Sequence, residues 1–414
     1  MRSIQKHNWN GGNDWAVGLA HVKGHGLAAA FSNGQITLYP MDPSTSANAL
    51  QSFKAHSSSV NCMRTVDEHV LASCAMDAVK LWDMRVANGK PVASYTNAKR
   101  SPFLSLDSGH GMLAAGTELM GVDAELHIWD LRSLNPVRSF VDSHHDDITD
   151  IRFHPTHKDS LLSGSTDGYT NVYDLTMEDE EEALYQVINY ASVHSANFLS
   201  DKRIYTLSHM ETVAIHELND KSDEATEPQP NDLGDIRTAW DCEYVVDMYP
   251  GYVAVGSNSV EKLTLYPFDE RTESVDTSKP LWLTGAHGEE VVRSVYALPG
   301  TDIVYSAGED GNVKVWQTPH AIGAKESYFT PRSDDMDVDM GGIGEASDFN
   351  EKERKKEKKE KKEKKERKEK EKKEKKEKRE KEDKKEKKDK KEKKEKKEKK
   401  EKKDKKKDVR FKPY

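Results

Sequence analysis

Up to about residue 317 the chain is written in short apolar runs separated by polar turns. Residues 71–83 read Leu-Ala-Ser-Cys-Ala-Met-Asp-Ala-Val-Lys-Leu-Trp-Asp. Residues 161–174 read Leu-Leu-Ser-Gly-Ser-Thr-Asp-Gly-Tyr-Thr-Asn-Val-Tyr-Asp, and 304–316 read Val-Tyr-Ser-Ala-Gly-Glu-Asp-Gly-Asn-Val-Lys-Val-Trp. Each is a β-rich run, an Asp-containing turn, and an alternating run that ends in an aromatic ring, which is the pattern of a β-hairpin. Residues 124–130, Ala-Glu-Leu-His-Ile-Trp-Asp, repeat the second half of that unit.

The closing ring recurs at Tyr39, Trp82, Trp129, Tyr173, His216, Tyr266 and Trp316, at spacings of 43, 47, 44, 43, 50 and 50 residues. Helical solenoids repeat over similar lengths, but their units are helices. Short alternating strands with Gly, Asn and Asp turns predict four-stranded propeller blades instead. Seven rings imply seven blades.

These repeats resemble the WD-repeat family, whose hallmark is a His before the first strand of a blade and Trp-Asp at the end of the third. Ala55-His56 precedes Trp82-Asp83, Ser143-His144 precedes Tyr173-Asp174, and Ala286-His287 precedes Trp316-Gln317. The separations from His to ring are 26, 29 and 29 residues. The first Gly of the hallmark is replaced in all three, and the remaining blades are degenerate. The resemblance implies an all-β, seven-bladed propeller over residues 1–317, closed by an N-terminal strand near Ser3–Lys6 that completes the last blade. It also implies a buried polar network in each complete blade. One joins His56, Ser73, Asp77 and Trp82, the next His144, Ser163, Asp167 and Tyr173, and the third His287, Ser306, Asp310 and Trp316. Tyr173 departs from the pattern, because its hydroxyl reaches beyond the position of an indole N–H, and a looser network is expected there. Such a network rewards completeness, since an unpaired buried group costs roughly 1–3 kcal/mol.

A narrower likeness is carried by residues 143–155, Ser-His-His-Asp-Asp-Ile-Thr-Asp-Ile-Arg-Phe-His-Pro, by Ala115-Gly116-Thr117-Glu118, by Ser208-His209 with Glu211, and by Ala286-His287 with Val292-Arg293-Ser294. These segments resemble the WD repeat-containing protein 89 family and its fungal members, which implies a non-catalytic propeller.

Few residues invite a chemical reading. His144, His145, Asp146 and Asp147 have the types of a metal or acid–base cluster, but a His followed by an acidic residue opens many blades of the family. Cys62, Cys74 and Cys242 show no paired metal spacing and no catalytic partner, and Cys62 and Cys74 are expected in strands. No phosphate-binding Gly loop joins a strand to a helix. No enzyme activity, cofactor or metal is therefore expected. The most informative exposed motif is Trp-Asp-x-Arg, present at Trp82–Arg85 and Trp129–Arg132. It resembles the motif of propellers that serve as substrate receptors of cullin-type ubiquitin ligases, with Arg85 and Arg132 as partner-binding residues. The plainer reading is that each Arg pairs with a nearby Asp.

Charge divides the chain. Residues 351–408 are only Lys, Arg, Glu and Asp, and 351–414 hold 39 basic against 21 acidic side chains, whereas the other 350 residues hold 25 against 52. The expected order is a propeller at 1–317, an acidic flexible linker at 318–350 and a Lys/Glu-rich tail at 351–414. With no apolar side chain, 351–408 cannot bury a core. Repeated Glu-to-Lys pairs at i+4 favour a helix only weakly, so a charged helix and an extended chain stay close in energy. Acidic segments at Glu178–Glu182, Ser222–Asp232 and Ser333–Asp339 read most simply as solvated loops, and as a second reading are suited to a basic protein partner. The tail suits nuclear import and weak RNA contact without sequence preference, although a solubilising spacer fits as well. No membrane span and no secretory signal are expected. The expectation is a monomeric, non-enzymatic scaffold for other proteins in the nucleus or nucleolus, with the cytoplasm as a second location. The alternatives are the ligase receptor and a ribosome-assembly factor with an RNA-contacting tail.

Overall fold

The structure, a computed structural model, describes residues 3–46, 48–86, 89–220 and 229–330. The strands form seven separate antiparallel sheets, all but the seventh built from consecutive strands, which is the seven-bladed propeller that the ring spacing predicts. Blades one to three span Ala16–Lys54, Cys62–Tyr95 and Phe103–His144. Blades four and five span Ile148–Asn189 and Val193–Asp235, and blade six spans Tyr244–Thr284. The seventh takes three strands from Val292–Gln317, and its outer strand is Ile4–Asn10, paired antiparallel with Asn312–Gln317. The N-terminal strand thus fastens the ring, and it runs four residues further than Ser3–Lys6.

The core is divided in the same way. Seven apolar clusters lie between successive blades, so each sheet buries both faces. Trp82 packs with Ala20 and Val22 of the preceding blade, and Trp129 with Ala72 and Val79. A strand buried on both faces reads as a continuous apolar or small-residue run, and the second strands Gly26–Phe31, Ser160–Ser165 and Tyr252–Ser257 are buried at every position.

Three expectations need correction. Glu178–Glu182 is not wholly loop, because Glu180–Ala183 forms a helical turn capped by the Asp179 side chain. Its Glu180 carboxylate accepts the backbone N–H groups of Val141 and Asp142, which fixes it to blade three. The insertion near residues 222–232 is shorter than expected, since Asn231–Asp235 is the fourth strand of blade five. Residues 318–330, read as the start of the linker, pack on the propeller. Ile322 joins the cluster between blades six and seven, and Tyr328 joins that between blades five and six. Lys325 donates its backbone N–H to the Pro250 carbonyl at 3.0 Å and its ammonium to Glu270 at 2.8 Å. The rest of the expected linker and the whole charged tail, 331–414, lie outside the described residues.

Candidate partner-binding faces

In a meander, loops alternate between the two ends of the strands. The loops from fourth to first strand and from second to third strand therefore share one face, which carries His56, His144, His287 and the Asp turns. The other two kinds of loop share the opposite face, which carries Arg85, Arg132 and the segment 318–330.

The structure brings each blade network together. In blade seven the Trp316 indole N–H donates to Ser306 Oγ at 2.9 Å, Ser306 Oγ lies 2.8 Å from His287 Nε2, and His287 Nδ1 lies 2.6 Å from Asp310. An ionised carboxylate can only accept, so His287 Nδ1 carries the ring proton toward Asp310; in the neutral ring Nε2 then accepts the Ser306 hydroxyl proton, while Ser306 Oγ accepts the indole N–H. Burial agrees with a neutral ring, because it lowers the pKa of His287 and His56. For Asp310, burial works upward, but the hydrogen bonds from His287 and Asn312 hold the carboxyl well below its ordinary value. Blade two repeats the set at 2.8, 2.7 and 2.6 Å through Trp82, Ser73, His56 and Asp77. In blade four, Ser163 meets His144 at 2.7 Å but Tyr173 at 3.2 Å, and His144 meets Asp167 at 2.9 Å. Asn171, absent from the sequence reading, adds its amide near both the Tyr173 hydroxyl and His144. Blade three has the ring without the network. Leu113 pairs with Trp129, so the network Ser position falls on Ala115, and the buried Trp129 indole N–H has no partner.

The mixed cluster at 144–147 disperses into structural bonds. His144 belongs to its network, His145 meets Asp123 at 2.6 Å, and Asp147 accepts the Leu119 N–H at 2.8 Å. Among the described residues, one group has metal-like proximity, His154, His157 and Asp201. It suits a hydrogen-bonded turn better than an ion. His154 Nδ1 accepts the backbone N–H groups of Thr156 and His157 at 3.2 and 3.0 Å, so the Nε2 facing Asp201 carries the ring proton and has no lone pair for a metal.

Arg85 and Arg132 stand on one face in neighbouring blades, but each guanidinium already grips the Asp of its own motif in a fork. Arg85 reaches Asp83 at 2.9 and 2.6 Å, and Arg132 reaches Asp130 at 2.9 and 2.7 Å. The hydrogen bonds hold both carboxyls down to about 2. Arg237 grips Asp235 in the same way with no Trp before it, so the fork belongs to the Asp-x-Arg turn itself. At the centre of the same face, 318–330 crosses the ring, with Tyr328 near Tyr205 and Phe329 near His154. A cavity of about 600 Å³ beside it is lined by Asp107, Arg152, Asn197 and Glu326.

The His-bearing face differs in character. The basic residues of its loops are Lys99, Arg100 and Arg237, of which Lys99 is paired with Glu125 and Arg237 with Asp235. Exposed acids stand around it at Glu118, Asp241, Glu243, Glu261, Glu289 and Glu290, of which Asp241 is paired with Lys262 at 2.8 Å. Between them six large apolar side chains are exposed: Trp15, Met76, Met120, Val122, Met210 and Val260. The sequence reading missed this set because it comes from five blades. The signal available was an apolar residue at successive hairpin tips, where a turn normally carries polar ones.

Family comparison agrees with the geometry. The model of the WD domain, G-beta repeat, matches residues 134–174 and 278–317. A WD repeat-containing protein of Saccharomyces cerevisiae is 49% identical over 325 residues, 76% of this chain and 82% of that protein. The chain belongs to the WD-repeat family. A WD repeat-containing protein of Schizosaccharomyces pombe is 30% identical over 311 residues, 70% of this WD-repeat chain and 92% of the relative. The WD repeat-containing protein 89 homolog of Dictyostelium discoideum is 33% identical over 197 residues, 46% and 52% of the two chains.

Proposed function

We propose that this WD-repeat propeller is a non-enzymatic scaffold of the nucleus or nucleolus, and that its His-bearing face docks a basic protein segment carrying apolar anchors. The supporting observation is the composition of that face, whose loops carry exposed Trp15, Met76, Met120, Val122, Met210 and Val260 together with exposed acids, and where two of the three loop cations, Lys99 and Arg237, are already paired. Acidic loops steer a basic partner, and apolar anchors at the loop tips hold it.

A labelled Lys/Arg-rich peptide with spaced Leu and Phe should bind the full-length chain with affinity that falls as salt rises. Charge reversal at Glu289 and Glu290 and polar replacement of Met210 and Val260 should each weaken it about tenfold or more. Binding unchanged by both, or equal binding of an acidic peptide, overturns the reading.

The presence of Trp-Asp-x-Arg in two neighbouring blades favours a second reading, the cullin-type ligase receptor. Replacing Arg85 and Arg132 with Ala should then abolish recovery of the ligase adaptor at an unchanged melting temperature. Equal recovery from both chains rejects it.

A further inference from the structure

Two of the three cysteines meet in blade two. Cys62 opens the first strand, Cys62–Thr65, and Cys74 ends the second, Val70–Cys74. The register places them directly opposite each other in the antiparallel pair. Opposed residues of such a pair project from the same face of the sheet, and both side chains enter the apolar cluster between blades two and three. Cα atoms of directly opposed residues are about 4.5–5.5 Å apart, inside the range that a disulfide spans. Sequence spacing alone could not show this, because only the hairpin register makes positions 62 and 74 partners.

The two thiols are not equivalent. Cys62 is partly exposed, whereas Cys74 is fully buried. The hydrogen bond from Cys74 favours the Cys62 thiolate, with the guanidinium groups of Arg64 and Arg152 adding to it, while burial favours the neutral thiol at Cys74. A partly exposed thiol whose thiolate is favoured, beside a fully buried thiol, is the arrangement of an attacking and a resolving cysteine.

We propose that Cys62 and Cys74 form a reversible redox site that small hydroperoxides oxidise to a cross-strand disulfide. The Cys62 thiolate attacks one peroxide oxygen, the O–O bond breaks, and hydroxide leaves with the electron pair, so that Cys62 becomes a sulfenic acid. Cys74 then attacks that sulfur, gives up its proton, and the second oxygen leaves as water. Two thiols and one hydrogen peroxide yield one disulfide and two waters, with two electrons passing to the peroxide. A dithiol reductant restores both thiols by exchange. In a reducing compartment such a bond is transient, as expected of a sensor rather than of a structural staple.

The test uses the full-length, reduced chain, treated with stoichiometric hydrogen peroxide, blocked with iodoacetamide and digested with trypsin, which cuts at Arg64 between the two cysteines. The expected product is the pair of peptides bearing Cys62 and Cys74, joined with the loss of about two mass units. It should form while the β-sheet circular dichroism is unchanged, and reverse with dithiothreitol. Cys62→Ser should abolish it and Cys242→Ser should not. Full alkylation of both thiols after peroxide, sulfinic acid at Cys62 with Cys74 still reduced, a link to Cys242, or a link seen only in urea would each overturn the proposal.

Discussion

Replacing Ser306 with Ala removes one oxygen that serves two neighbours. Ser306 is fully buried. Its hydroxyl receives the Trp316 indole N–H at 2.9 Å and gives its proton to His287 Nε2 at 2.8 Å. Alanine leaves both groups buried without a partner, at roughly 1–3 kcal/mol each, so the expected loss is about 2–6 kcal/mol. Ser163→Ala in blade four is the internal control. There the Asn171 amide lies 3.3 Å from His144 Nε2 and 3.4 Å from the Tyr173 hydroxyl, so a substitute donor is at hand. Its loss should be about 1–2 kcal/mol. Both variants are of the same chemical kind at buried positions, so the difference isolates the network. Urea unfolding followed by circular dichroism reads it as a shift in midpoint at constant slope. Equal losses, a reversed order, or a Ser306→Ala loss under about 0.5 kcal/mol would refute the reasoning.

Ala115→Ser offers the Trp129 indole N–H the acceptor it lacks, and should raise stability by about 1 kcal/mol, read in the same urea titration. Trp316→Ala should cost roughly 3–5 kcal/mol, because the ring is buried between blades six and seven, and an unchanged melting temperature would remove it from that place. Gly251→Ala should loosen 318–330, since Gly251 has φ +86° and a Cβ there would stand 2.2 Å from the Gly323 carbonyl oxygen; faster proteolysis within 318–330 is the readout. The buried neutral His287 has a lowered pKa, so its contribution is present above the unfolded value near 6.5 and lost as pH falls below it. Asp310 is also depressed, so its contribution persists above the unfolded value near 3.8 and is lost further down. Thermal melts from pH 7 to 5 should therefore drop more in the native chain than in a His287→Gln chain, and parallel curves would contradict this.

Much of the architecture was readable from the chain because it is local. A blade is one hairpin-rich unit of forty to fifty residues, and its His, Ser, Asp and ring keep fixed offsets whenever the turn lengths are kept. Blades one, five and six lack the full set, and there only the ring period pointed to them. Where turn lengths change, the offset rule fails. The turn of blade three, 118–123, is longer, so Ala115 and Trp129 were not recognisable as a network missing its hydroxyl. The Asn171 amide could not be read because its role depends on how far a tyrosine hydroxyl reaches.

The sequence alone determined the fold class, the number of blades and the division between an acidic body and a basic tail, since each depends on periodicity or composition, while the networks of three blades followed from the family resemblance. Tertiary structure decided which distant residues share a surface. It gathered Trp15, Met76, Met120, Val122, Met210 and Val260 on one face, laid 318–330 across the other, forked Arg85 and Arg132 onto their own aspartates, and set Cys62 opposite Cys74. Those neighbours arise from ring closure, strand register and local turn geometry, which no linear spacing encodes.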